Sequence, residues 1–171
     1  MLWETTIDFS KEELDTLNNF AIQYEGSSEE KVPNILLNFP FALEKINILL
    51  NNYLPKDYEK YLVQSWSIFT PKGYQVHSNP HNHGYCHFSF IFYTKSLGDT
   101  ALILKDANNL EFRKNFKTKD FIIIPPQQIH MIEIGEVKSD RVSFVGDILL
   151  TEKEYKSSMF LPPINNWKKL K

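Results

Sequence analysis

Residues 81–94 read His81-Asn-His-Gly-Tyr-Cys-His-Phe-Ser-Phe-Ile-Phe-Tyr-Thr94, and two patterns in them decide how the chain is read. From Phe88 the period is two: Phe88, Phe90 and Phe92 share one face and Ser89, Ile91 and Tyr93 the other, because successive side chains of a strand point to opposite sides. The phenylalanine face asks for a covering layer, whereas the Ser/Ile/Tyr face suits the inside of a barrel. Just before this strand, His81 and His83 stand two apart. In an extended segment that spacing puts both imidazoles on one side, close enough to chelate one metal ion.

Further along, Leu62 to Phe69, Phe88 to Thr94, Ala101 to Leu104, Glu111 to Phe116, Phe121 to Ile124, His130 to Ile134 and Arg141 to Leu150 are short apolar or alternating runs separated by Gly, Pro and Asn. Seven such strands with turn signals between them predict an antiparallel sandwich or barrel. The first third has a different texture. Ser10 and Glu13 form an S-x-x-E capping box ahead of a stripe of Leu14, Leu17, Ala21 and Ile22, which predicts a helix over about residues 11–24. Pro40 opens a second helix, Phe41 to Tyr53, with Leu43, Ile46, Leu49 and Leu50 on one side and Pro55 as its stop. These helices are expected to cover the phenylalanine face. The expected organisation is one domain: a helical support region at 1–61, a barrel at 62–150 and a C-terminal extension at 151–171.

Composition narrows the function classes. The chain of 171 residues is 42% hydrophobic, enough for a single core, and its 13 Phe favour a sheet-rich one. A net charge of −2 excludes charge-driven binding to nucleic acid or to an anionic membrane. The lone Cys86 cannot form an internal disulfide, the N-terminal Met-Leu-Trp-Glu-Thr-Thr lacks the pattern of a signal peptide, and no apolar run is long enough to span a bilayer. A soluble, cytosolic protein is expected. No G-x-S-x-G elbow, phosphate-binding glycine loop or C-x-x-C pair is present, which removes several enzyme classes. Cys86 falls among apolar neighbours and reads as packing, since apolar burial raises a thiol pKa.

Four of the five histidines, His77, His81, His83 and His87, fall within eleven positions. His130 lies on a later strand, after the buried Phe121-Ile-Ile-Ile-Pro-Pro and its rigid turn, and is the candidate third ligand for the His81/His83 pair. His77 and His87 each lack such a partner and are expected beside the site or on the surface. His87 would share the face of His81, His83, Ser89 and Tyr93 if the strand runs straight through Gly84. Of the 19 basic residues only Arg113 and Arg141 are arginine. Alternation puts Arg141 and Ser143 on one face, and an arginine facing into a barrel must be paired. A ligand carboxylate held by both arms of the guanidinium is one candidate partner; Asp140 or Asp147 is the other.

The succession Ser65-Trp66-Ser67, Gly73, His81-x-His83, Ser89-Phe-Ile-Phe-Tyr93, a Gly98 turn, Asp120-Phe-Ile-Ile-Ile-Pro125, His130 and Arg141-x-Ser143 resembles the iron(II)- and 2-oxoglutarate-dependent oxygenases. In particular it looks like a small phage and marine-bacterial subfamily that carries H-x-H in place of the commoner H-x-D. The likeness covers about residues 63–147. It implies a double-stranded β-helix, a jelly-roll barrel that holds Fe(II) through His81, His83 and His130. By the same resemblance, Arg141, Ser143 and Tyr93 would bind the cosubstrate 2-oxoglutarate. The expected reaction is hydroxylation of an unidentified small-molecule or protein substrate by O2, with release of succinate and CO2, and a homodimer is left open. The rival readings are a metal-dependent cupin (a lyase, an isomerase or a dioxygenase without 2-oxoglutarate) and a jelly-roll binding protein whose histidines are incidental. A cupin would carry a Glu where this chain has His87, and it leaves Arg141 without a task.

Overall fold

The computed structural model describes residues 3–24, 34–76, 78–105, 110–133, 135–151 and 166–170. In chain order these form β1 (Trp3–Thr6), α1 (Lys11–Gln23), α2 (Pro40–Tyr53), β2 (Glu59–Thr70), β3 (Gln75–Val76), β4 (Phe88–Lys95), β5 (Leu97–Lys105), β6 (Glu111–Lys117), β7 (Asp120–Ile124), β8 (Ile129–Ile132), β9 (Gly135–Glu136), β10 (Arg141–Thr151) and β11 (Lys168–Leu170). A six-stranded sheet, ordered β1-β7-β4-β10-β2-β11, lies opposite a three-stranded one, β6-β5-β8, and β3 pairs with β9. The strand pairings are antiparallel. The chain passes from one sheet to the other between β4 and β5 and again between β6, β7 and β8, which makes the expected double-stranded β-helix.

Two apolar compartments follow from the alternation along the central strands. On the outer face of the large sheet, Phe90, Phe92 and Phe144 meet Phe9, Leu17 and Ile46 from the helical side. The rings there pack nearly parallel, Phe92 on Phe144 with centroids 5.2 Å apart and Phe90 on Phe121 at 5.5 Å. Inside the barrel, Ile91, Ile122 and Val145 of the large sheet face Leu102 and Leu104 of the small one. The strand read from Phe88 to Thr94 thus has its phenylalanines under the helices and its Ser/Ile/Tyr face inward, as the period predicts.

The helices are held by local chemistry as well as by burial. Ser10 accepts from the Glu13 amide at 3.2 Å while the Glu13 carboxylate accepts from the Ser10 amide at 2.7 Å, which satisfies two free donors at the start of α1. The same carboxylate takes the Lys45 ammonium of α2 at 2.6 Å and so ties the two helices together. Ile22, expected on the buried stripe, is 38% exposed, whereas Ala21 beside it in the last turn of α1 is buried, so the stripe ends on Ala21.

The short strands β1, β3, β9 and β11 carry no local pattern of their own and exist because a sheet edge accepts them. β1 pairs with β7 and β11 with β2, so the two ends of the chain form the two edges of the large sheet. Lys114 on β6 makes an ion pair with Glu4 on β1, joining the edge strands of the two sheets. The strand expected to run from His130 to Ile134 ends at Ile132, and Ile134 lies outside the described residues. No helix among the described residues is long and apolar enough to cross a membrane.

Gly146 marks where β10 leaves least room for a side chain. A Cβ there would overlap the edge of the Phe90 ring and stand 2.9 Å from Leu62 Cδ1. Gly146→Ala should therefore lower the unfolding free energy in urea by about 1–3 kcal/mol through overpacking. Gly135→Ala, where nothing lies within 4 Å, should change it by less than about 0.5 kcal/mol.

Candidate metal centre

The segment before β4 reaches the barrel through backbone pairing. The His81 amide donates to the His130 carbonyl at 3.0 Å and the His130 amide donates back to His81 at 2.9 Å, so the two residues are directly opposite neighbours at the rim of the small sheet. Their register extends across that sheet: His130 stands opposite Leu104, and Leu104 opposite Phe112. Directly opposite residues share a face, so His81 and His130 point into the barrel beside Leu104. The chain then turns inward at His83, which is buried although His81 is exposed.

One ring nitrogen from each of His81, His83 and His130 lies within 4.8 Å of the others. In every ring Nδ1 is already engaged: with the Asn79 carbonyl at 2.7 Å in His81, the Gln128 carbonyl at 3.0 Å in His130, and a carboxylate oxygen of Asp147 at 2.7 Å in His83. Carbonyls and carboxylates only accept, so Nδ1 carries a proton in each case, which leaves Nε2 as the metal-binding nitrogen of the neutral ring. Burial pushes the His130 pKa down to about 4, which keeps that ring neutral near pH 7. Three imidazoles whose Nδ1 atoms are already engaged leave three Nε2 atoms, a donor set suited to a first-row transition ion such as iron, nickel, copper or zinc, and the hydrogen bonds behind them are of the kind that orients metal-ligating histidines.

The remaining histidines stand apart. His87 does not share the face of His81 and His83, because the chain turns at Gly84 and Tyr85 instead of running straight. It is exposed, and its Nδ1 accepts from the Leu150 amide at 3.1 Å. His77 lies outside the described residues. Cys86 is buried, with its thiol pushed up chiefly by burial and held as a donor toward the His83 and Phe88 carbonyls, which fits packing and not nucleophilic chemistry.

Deeper in the barrel, Tyr93 and Ser143 stand opposite each other on β4 and β10, with Arg141 two residues along the same face. Arg141 is only 2% exposed. Its guanidinium lies 5.0 Å from the centre of the Tyr93 ring, which itself stacks on Phe116. Burial raises the Tyr93 hydroxyl pKa, and the adjacent Arg141 charge partly offsets that rise. Neither protein carboxylate considered for Arg141 is its partner: Asp140 takes Lys95 at 2.9 Å, and Asp147 takes His83. Arg141 Nη1 and Ser143 Oγ are buried with no hydrogen-bond partner. A buried cation and a hydroxyl with unused capacity thus stand side by side, an arrangement whose chemistry suits an anion.

No family model and no curated protein matches the sequence. Solved structures do match the fold: an α-ketoglutarate-dependent epimerase of nogalamycin biosynthesis covers 86% of this chain and 77% of its own with a TM-score of 0.68 at 8% identity. A prolyl-4-hydroxylase of Pseudomonas putida matches over 88% of each chain with a TM-score of 0.60 at 12% identity. HygX of Streptomyces hygroscopicus, solved with nickel and 2-oxoglutarate, matches over 86% of this chain and 81% of its own with a TM-score of 0.60 at 8% identity. The chain has the fold of the 2-oxoglutarate/Fe(II) oxygenases. On that fold the histidine cluster sits at the barrel rim, and the buried Arg141 lies at the start of β10.

Sequence reasoning missed the residues that orient the rings: Asp147, Gln128 and Asn79, and with them Trp66 and Tyr85, which stack on His83. The parity of β10 already carried one signal, since Asp147 falls on the same alternate face as Arg141, Ser143 and Val145.

A guanidinium nitrogen buried without a partner costs the fold energy. Arg141→Met, which keeps length and removes the charge, should raise the urea unfolding free energy of the ligand-free protein by about 1–3 kcal/mol. A loss of stability would mean that the protein itself satisfies the guanidinium.

Proposed function

We propose that this chain is an Fe(II)- and 2-oxoglutarate-dependent dioxygenase that hydroxylates a small-molecule or protein substrate, releasing succinate and CO2. The observation that carries the reading is the buried Arg141 with an unpartnered Nη1 beside an unpartnered Ser143 Oγ, in the same barrel as three convergent histidines. A cupin needs the histidines but has no use for that arginine, and an incidental histidine cluster has no reason to engage all three Nδ1 atoms.

In this reading His81, His83 and His130 would hold the iron, and Arg141 would bind the distal carboxylate of 2-oxoglutarate, with Ser143 and Tyr93 beside it. The iron, when bound with 2-oxoglutarate, supplies the activation of O2 that is coupled to decarboxylation. The side chains do the rest. The planar Arg141 fork would hold the distal carboxylate of the cosubstrate, and the buried apolar cluster of Ile91, Ile122, Val145 and Leu102 in the same barrel would keep water away from it. His81 is exposed at the rim, which would put the metal side of the barrel within reach of a substrate. The lone buried thiol fits a cytosolic setting.

The test is an anaerobic titration of 2-oxoglutarate into the Fe(II)-loaded protein, followed by the weak visible charge-transfer band expected of a keto acid bound to Fe(II). His81→Ala and His130→Ala should each abolish tight iron binding while the fold survives on its apolar core; stoichiometric iron in both would overturn the assignment. Arg141→Ala should keep iron but weaken 2-oxoglutarate binding by on the order of 2–5 kcal/mol, a rise in Kd of roughly 30-fold or more. An unchanged affinity in the folded variant would favour the cupin reading.

A further inference from the structure

Asp147 has no solvent exposure, and its carboxylate sits inside the barrel directly behind His83. Its place is set by the sheet: Asp147 stands opposite Ser89 on β4 and Gln64 on β2, so all three project inward in one row. The carboxylate accepts four hydrogen bonds, from His83 Nδ1 at 2.7 Å, Ser89 Oγ at 2.6 Å, Gln64 Nε2 at 2.6 Å and the Tyr85 hydroxyl at 3.0 Å. Four donors around two oxygens suit a carboxylate, which only accepts. The result is a fully buried carboxylate enclosed by hydrogen-bond donors of the protein. Asp147 also lies among His83 and Cys86, but with four donors on its two oxygens and a protonated thiol beside it, that trio is a poor cation site.

His81 and His130 are held from behind by main-chain carbonyls two residues earlier, whereas His83 alone is held by a charge. Its ring is further pinned by Trp66 and Tyr85, which stack on it at centroid distances of 5.8 and 5.7 Å. We infer that Asp147 is the positioning residue of the metal centre: it locks His83 with the proton on Nδ1 and Nε2 toward the ion, and it supplies from behind the imidazole the negative charge that an H-x-D motif supplies as a ligand. This rests on the three-histidine reading of the site. A negative charge hydrogen-bonded to Nδ1–H makes Nε2 a stronger donor, and such partners typically contribute 10- to 100-fold to metal affinity.

The experiment is a double-mutant cycle in Co(II) affinity, read from the visible absorption of the bound ion, on the wild type, Asp147→Asn, His83→Ala and the double variant. Asp147→Asn keeps the shape and removes the charge. It should raise the Co(II) Kd about 10- to 100-fold in the wild-type background and shift the absorption of the bound ion, yet change the Kd less than about threefold when His83 is already Ala. Equal losses in both backgrounds, or wild-type affinity in Asp147→Asn, would overturn the role. His81→Ala separates this from the underlying reading. If the wild type binds Co(II) and His81→Ala does not, a silent Asp147→Asn defeats only the Asp147 inference; if His81→Ala binds as tightly as wild type, both fall. Should Asp147→Asn fail to fold, the tautomer of His83 in the wild type, read from its ring 15N shifts, still decides: Nδ1 protonated with Nε2 bare supports the inference, and Nε2 protonated ends it.

Discussion

Strand β10 is hydrogen-bonded on both sides, to β2 and to β4, and it has no freedom to slip. A shift of one residue would turn over every side chain along it. Val142, Phe144 and Ile148 would leave the layer under the helices, and Arg141, Ser143 and Asp147 would enter it. Each of those two charges would then be buried without a partner, at several kcal/mol apiece. The apolar layer therefore sets the register, and the register aims the polar row of the barrel. The candidate site depends on the phenylalanines beneath the helices as much as on its own residues.

The two buried charges on that row are treated differently. Asp147 is satisfied by four protein donors and so adds order to the fold at modest net energy. Arg141 has a donor unused, and Ser143 next to it has a hydroxyl unused. A barrel selected for stability alone would fill that place with an aliphatic side chain; a buried guanidinium with an unused Nη1 is the kind of local cost expected at a functional site.

The histidines are brought together by a different device, backbone pairing at a sheet rim. The reciprocal bonds between His81 and His130 join segments 49 residues apart in sequence, and the turn that follows carries His83 inward to meet Asp147. The helix-side core carries none of this chemistry; it supplies the rigid floor on which the rim is built.

What the sequence by itself determined was everything governed by a short period. Alternation in Phe88 to Tyr93 and in Arg141 to Leu150 assigned faces, the capping box placed α1, and Pro40 and Pro55 bounded α2, because each of these depends only on residues within one or two turns or one strand. The H-x-H pair and His130 could be named as candidates on the same footing. Tertiary structure alone decided which carboxylate served which cation. Asp140 went to Lys95 and Asp147 to His83, leaving Arg141 with neither, since the choice depends on how strands far apart in sequence lie side by side. It also removed His87 from the cluster, because a turn at Gly84 and Tyr85 breaks the extended run on which its parity relied. The four short strands β1, β3, β9 and β11 were invisible for a related reason: two to four residues hold no period, and an edge strand becomes one only when a neighbouring strand offers its unpaired backbone groups.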